Sequence, residues 1–230
     1  MDASMSVFKE SKLFDGIEPS EIMFLLQCLA GYERDFFKNE YLYRFGDQID
    51  AIGLVISGKV HVFNEDHWGN KTMMTEIRPG GIFGETFAAS GPMLSTVTAV
   101  AAEDSRILFL DMRRVLSTCT KACDFHHRLI RNLVAELAQK NIQLNEKISH
   151  MSKRTTQEKL LSYLSAQSRK AGSLSFEIPF NRQQLADYLH VERTAMSKEL
   201  SKLKSEQVID FERRHFVIKD KAKSTAGYLD

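Results

Sequence analysis

Cysteine is scarce in this chain, which holds only Cys28, Cys119 and Cys123. An odd, small count without a secretion signal argues against a disulfide scaffold and makes reduced thiols the expectation. Long apolar runs are missing too. No stretch approaches a membrane span, and the N-terminus MDASMSVFKESK lacks a signal-peptide core. The expectation is a soluble cytosolic protein with no membrane partner. Nor does the chain carry a nucleophile–base arrangement, a Walker loop or a dinucleotide loop, so an enzyme is not expected. Net charge is nearly absent at +1, but it is unevenly divided. From Met151 onward there are 15 Lys and Arg against 10 Asp and Glu, while the first 150 residues hold 16 against 20. A basic C-terminal third beside an acidic remainder fits a nucleic-acid-binding module attached to something else.

What is present is clearest between Asn181 and Lys204, NRQQLADYLHVERTAMSKELSKLK. Leu185, Ala186 and Leu189 form one apolar stripe. Ala195, Met196, Leu200 and Leu203 form the next, at the spacing of half-buried helices. About three residues remain for a turn between them, as a helix-turn-helix allows. Arg182 and Gln183 open the first helix. Arg193, Thr194, Ser197 and Lys198 line the outward face of the second, where a recognition helix presents side chains to base edges. Alone, the pattern also describes a helical hairpin with a solvated basic face. The sequel favours the first reading: residues 208–211 and 215–218 form a short hairpin whose tip carries Arg213 and Arg214, a basic wing suited to a phosphate backbone.

Upstream, residues 8–30 read as helical, with Pro19 at a helix start and Cys28 in the core. From about Tyr32 to Leu110 short strands recur, separated by Gly-rich turns, as in a sandwich or jelly-roll barrel. Within it lie Ile82-Phe83-Gly84-Glu85 and, further on, Ser95-Thr96. Free backbone N–H groups and hydroxyls there either cradle an anionic ligand or merely turn barrel corners. Asp111 to about Met151 contains no Gly or Pro and reads as one long helix. Ile130, Leu133, Leu137, Leu144, Ile148 and Met151, with Asn141 in a seam position, suggest a parallel homodimer. The expected organisation is α+β: a sensing barrel with N-terminal helices over 1–110, a dimerisation helix over 111–151, and a winged helix-turn-helix over 152–230. Cys119, Cys123 and His126 share a helical neighbourhood. They are either metal or haem ligands, a redox pair, or ordinary packing and surface residues.

Barrel, long helix, hinge and winged helix together resemble the Crp/Fnr family of bacterial transcription regulators. The resemblance rests on Gly46-Asp47, Ser57-Gly58-Lys59-Val60, Gly80-Gly81-Ile82-Phe83-Gly84-Glu85 and the helix-turn-helix, and spans nearly the whole chain. It implies a homodimer on double-stranded promoter DNA, controlled by a small signal and able to engage RNA polymerase. It makes Arg193, Thr194, Ser197 and Lys198 base-reading candidates, and Arg182 and Gln183 phosphate contacts. Many members place Glu where this chain has Thr194, and Arg where it has Lys198. Cyclic-nucleotide binders follow Gly-Glu with an Arg-Ser pair that grips the phosphate. Here Gly84-Glu85 is followed by Leu94-Ser95, and an aliphatic side chain cannot neutralise a buried phosphate. The helix positions that meet an adenine in such binders correspond to Lys140 and Asn141. Cyclic AMP is therefore not expected as the effector. By analogy with gas-sensing relatives, His61 and His67 are haem-ligand candidates. Two alternatives remain: a redox, haem or gas sensor acting through Cys119, Cys123 and His126, and a regulatory ligand-binding module that never touches DNA.

Overall fold

The computed structural model of the protein describes residues 2–65, 68–69, 71–117 and 124–219. The chain divides into two compact units, Met1–Ala138 and Gln139–Asp230.

The first unit opens with α1 (Asp2–Glu10), a 3-10 turn (Lys12–Phe14) and α2 (Pro19–Cys28). Eight strands follow: β1 (Tyr32–Phe36), β2 (Tyr41–Tyr43), β3 (Ala51–Ser57), β4 (Val60–Glu65), β5 (Lys71–Ile77), β6 (Ile82–Phe83), β7 (Thr98–Ala101) and β8 (Ser105–Asp111). They form two antiparallel sheets, ordered β1-β8-β3-β6 and β2-β7-β4-β5. The two-residue side-chain period explains why β3 is apolar almost throughout. Ile52, Leu54 and Ile56 face the helices, joining Phe14, Ile22, Leu25 and Leu29. Val55 faces the other way, into a second core with Phe36, Val60, Val62, Phe83 and Ile107. One strand thus serves two cores, and each fully buried aliphatic side chain there contributes about 1.5–3 kcal/mol. Gly53 sits where a Cβ would meet the Phe83 ring at 2.2 Å, so its lack of a side chain admits that ring.

The short helix α3 (Glu85–Ala89) follows β6. The expected continuous helix from residue 111 is corrected. Helix α4 (Met112–Leu116), capped by the Asp111 carboxylate, ends at Ser117, whose extended backbone stops the helix. The long helix α5 is Asp124–Met151. Leu129 and Leu133 of α5 join the helical core, and Asn132 Nδ2 donates to Leu13 O at 3.1 Å and Asp15 O at 2.8 Å. Cys28 is also corrected: it ends α2 exposed, because Ile22, Leu25 and Leu29 take the buried face.

The second unit contains the end of α5, then α6 (Thr156–Ala171), β9 (Ser175–Glu177), α7 (Arg182–Leu189), α8 (Arg193–Ser205), β10 (Ile209–Glu212) and β11 (His215–Ile218). Sequence signals account for the boundaries. Thr155 and Glu158 form a capping box at the start of α6, Gly172 closes it, and Asn181 with Gln184 opens α7. His190, at φ 54°, begins the turn of His190, Val191 and Glu192. The anticipated hairpin is β10–β11, and β9 adds a third strand beside β11. One core of Leu160, Tyr163, Leu185, Leu189, Met196, Leu200, Leu203 and Phe216 locks the helices to this sheet.

Candidate nucleic-acid interface

Helix α8 buries Met196, Leu200 and Leu203 and leaves Arg193, Thr194, Ser197 and Lys198 exposed. The four expected base-reading side chains therefore share the solvent face of one helix. Not all are equally free. Ser197 Oγ donates to Arg193 O at 2.9 Å, and Ser201 Oγ donates to Ser197 O at 3.0 Å. Thr194 is held more firmly, by a residue that sequence reasoning passed over. Glu192 caps α8: its carboxylate accepts from Thr194 N at 2.9 Å, from Ala195 N at 2.7 Å and from the Thr194 hydroxyl. Those bonds, the Thr194 hydroxyl first, hold the Glu192 carboxyl below the usual carboxylate range. Gln183, Val191, Glu192, Arg193, Thr194 and Ser197 surround an open hollow of about 610 Å³. Gln183 leans along α7, donating from Nε2 to Asp187 Oδ1 at 2.9 Å.

The wing is tied to α7 through Arg182. Its guanidinium lies 4.6 Å from the Phe211 ring centre and 5.1 Å from that of Phe216. This partial burial lowers its pKa from the ordinary arginine value. The planar face of Arg182 is thus committed to the wing, leaving its edge for a phosphate. Arg213, at φ 52°, and Arg214 form the exposed tip. They border a second hollow of about 360 Å³ with Glu177, Glu212 and His215.

In the barrel, Glu85 is buried and Gly84 caps α3. Tyr43, near Glu85, has its phenol pKa pushed up by burial and then by that carboxylate. Ser95 is buried, but its hydroxyl donates to Val97 O at 2.7 Å and accepts from Val97 N at 3.2 Å. Its single proton is already committed to backbone. Thr96 is exposed, and Leu94 projects an aliphatic chain, 54% exposed, beside a bridge to Gln48. The Leu94–Ser95 pair offers neither a cation nor a free hydroxyl donor, and so does not fit a cyclic phosphate. Lys140 and Asn141 lie on the α5 portion of the second unit, where Asn145 Nδ2 donates to Asn141 Oδ1 at 2.7 Å.

Cys119, Cys123 and His67 lie outside the described residues. Among the described residues no group of three or more His, Cys, Asp and Glu is arranged to hold a metal ion. His126 is buried with Nε2 at 2.9 Å from Val115 O, and its Nδ1 meets no hydrogen-bond partner among the described residues. His61 Nε2 lies 3.1 Å from Glu76 Oε2, which occupies one of its two ring nitrogens. Among the described residues no helix is long and apolar enough to cross a membrane.

Comparison with known proteins matches both units. Residues 33–122 match the cyclic nucleotide-binding domain family, and residues 158–223 match the Crp-like helix-turn-helix domain. The chain is 23% identical over 216 residues to the CRP-like cAMP-activated global transcriptional regulator of Mycobacterium tuberculosis, covering 93% of this chain and 95% of that protein. It is 24% identical over 204 residues to the transcriptional activator protein FnrL of Cereibacter sphaeroides, covering 84% and 78%. It is 28% identical over 138 residues to the cyclic AMP receptor protein of Thermus thermophilus, covering 60% and 62%. Among solved structures, CprK complexed with OCPA shares the fold at a TM-score of 0.63 and 15% identity, covering 88% of this chain and 92% of that one. The barrel and the winged helix define a DNA-binding transcription regulator with a ligand-binding type of N-terminal domain. The chain belongs to the Crp/Fnr family of such regulators.

Proposed function

We propose that this regulator works as a cytoplasmic homodimer that reads a promoter palindrome with one α8 per half-site. The observation that carries this reading is the exposed face of Arg193, Thr194, Ser197 and Lys198 on a helix whose opposite side is fully buried. Arg193 donates to a guanine edge and Lys198 to a guanine or a phosphate, while Arg213 and Arg214 hold the backbone beside the groove. Gln183 and the free edge of Arg182 complete the phosphate contacts. Dimerisation runs along α5, where Val134, Leu144 and Ile148 are each more than half exposed and Asn141 occupies a seam position. The organisation into a barrel over 1–110, a dimer helix that is the Asp124–Met151 part of the expected 111–151 segment, and a DNA-binding domain over 152–230 goes with this reading, as does contact with RNA polymerase.

The barrel's signal acts as a two-state bias on DNA affinity. Leu94 and the committed Ser95 hydroxyl support an effector other than cyclic AMP, held near Gly84, Glu85 and Thr96. Footprinting the purified protein on promoter fragments tests the DNA reading; a family of protected palindromes is expected, and no protection at any concentration contradicts it. A second reading, a signal sensed at His126 with Cys119 and Cys123, is favoured by the buried His126 Nδ1, which meets no hydrogen-bond partner among the described residues. A Soret band on haemin addition that is lost in His126→Ala supports it, and a featureless spectrum removes it.

A further inference from the structure

The N-cap of α8 carries more chemistry than a cap needs. Ser, Thr, Asp and Asn are the usual residues there, because a short side chain reaches the free N–H groups. Glu192 does the same with a longer arm, accepting from Thr194 N at 2.9 Å and Ala195 N at 2.7 Å. It also accepts from the Thr194 hydroxyl. Carboxylate oxygens offer about four acceptor positions between them. Oε1 takes both Thr194 bonds, and Oε2 takes Ala195 alone, leaving acceptor capacity on Oε2. Glu192 is exposed and borders the same hollow as Gln183, Arg193, Thr194 and Ser197.

This arrangement changes what the recognition face offers to DNA. The only proton of Thr194 Oγ1 points at Glu192, so Thr194 cannot donate to a base while that bond stands. The free helix N–H groups stabilise the Glu192 charge. An ionised carboxylate carried into a groove between phosphates is repelled unless it meets a donor. In the major groove cytosine N4 and adenine N6 are the base donors, but adenine sets its N7 lone pair beside N6, so a carboxylate reads cytosine best, and guanine O6 and thymine O4 present only lone pairs to it. Three hydrogen bonds also hold the side chain in place before DNA arrives, so little rotamer freedom is lost on binding.

We propose that Glu192 is a specificity-determining residue that selects cytosine at one position of each half-site through Oε2, with Thr194 acting as the positioning residue that holds the carboxylate. The inference rests on the DNA-binding reading above. It supplies the carboxylate that many relatives carry at the position of Thr194, but from the cap two residues earlier.

The test maps the binding sites of the full chain across the genome in its own host cells, where the natural signal is present, and compares consensus motifs. Wild type is expected to show cytosine at one position per half-site. Glu192→Ser keeps a capping side chain, so its unfolding temperature stays near wild type while preference for that base falls roughly 10- to 100-fold. Glu192→Gln can both donate and accept, so its motif broadens at that position to admit keto bases. Thr194→Val weakens the same preference without moving it, and Thr194→Ser restores it. A role as cap alone gives the opposite pattern: Glu192→Ala loses stability, while the Ser and Gln variants keep the wild-type motif, which overturns the proposal. If wild type yields no motif at all, the DNA reading itself fails and takes this inference with it.

Discussion

Nδ1 of His150 lies 2.8 Å from the Ser162 hydroxyl oxygen, joining the last turn of α5 to the middle of α6. The imidazole is buried and meets Tyr163 edge to face at 5.8 Å, with Tyr188 at 6.4 Å. Burial is the main cause that lowers its pKa from the ordinary imidazole value. The nearby cations Lys170, Arg169 and Lys153 add to that, and Glu146 opposes it. Lys170 is itself paired with Glu146 at 2.5 Å, and Lys147 lies over Tyr188. The folded unit therefore holds its neutral form below the pH at which the unfolded chain would take up a proton. Its stability contribution is complete above about pH 6.5 and is lost as pH falls through the lowered folded value. Thermal unfolding of the C-terminal unit at pH 7.5 and 5.5 should show a larger drop for wild type than for His150→Gln. Parallel drops would remove His150 from this account.

The β3–β4 corner leaves no room for a side chain. Gly58 has φ 82°, and a Cβ there would meet Asp104 O at 2.5 Å and Ser105 Oγ at 2.2 Å. Ser105 Oγ in turn accepts from Lys59 N at 3.0 Å and donates to Glu103 O at 2.7 Å, so it cannot simply move aside. Gly58→Ala should destabilise the first unit by about 1–3 kcal/mol. Chemical denaturation checks this, and an unshifted midpoint refutes it.

Cyclic AMP should not bind with micromolar affinity. Calorimetry should give no saturable heat with wild type. Leu94→Arg alone should not create a tight site, since the Ser95 proton remains on Val97 O. A micromolar isotherm with wild type would mean that some other group supplies the missing cation.

The sequence made the larger part of this molecule legible, for identifiable reasons. Ile52, Leu54 and Ile56 stand in a short apolar run, and Met196, Leu200 and Leu203 keep helical spacing, so β3 and α8 could be read locally. Other features depend on distant partners. Strand β9 has one buried residue, Phe176, and exists because β11 pairs with it. The stacking of Arg182 on Phe211 and Phe216 joins residues about thirty positions apart in sequence. The break at Ser117 carries no Gly or Pro, so nothing local announced it. Glu192 escaped because glutamate is an uncommon N-cap, and its role becomes visible only once two N–H groups and a hydroxyl converge on it.

The wing makes a separable prediction. Arg213→Gln and Arg214→Gln should weaken specific and non-specific duplex binding alike, each reducing the salt slope by about one. The base preference should not change. Altered sequence preference with an intact slope would place these arginines on bases instead of phosphates.

Fluorescence anisotropy with a mapped site, wild type beside Arg193→Ala, across about 50 to 200 mM salt, tests whether α8 reads sequence. For wild type, log affinity should fall linearly with log salt, the sign of phosphate contacts. Arg193→Ala should keep that slope while losing about 1–3 kcal/mol on the specific site and nothing on a scrambled one. A flat salt response, with equal affinity for wild type and Arg193→Ala, would contradict sequence reading by α8.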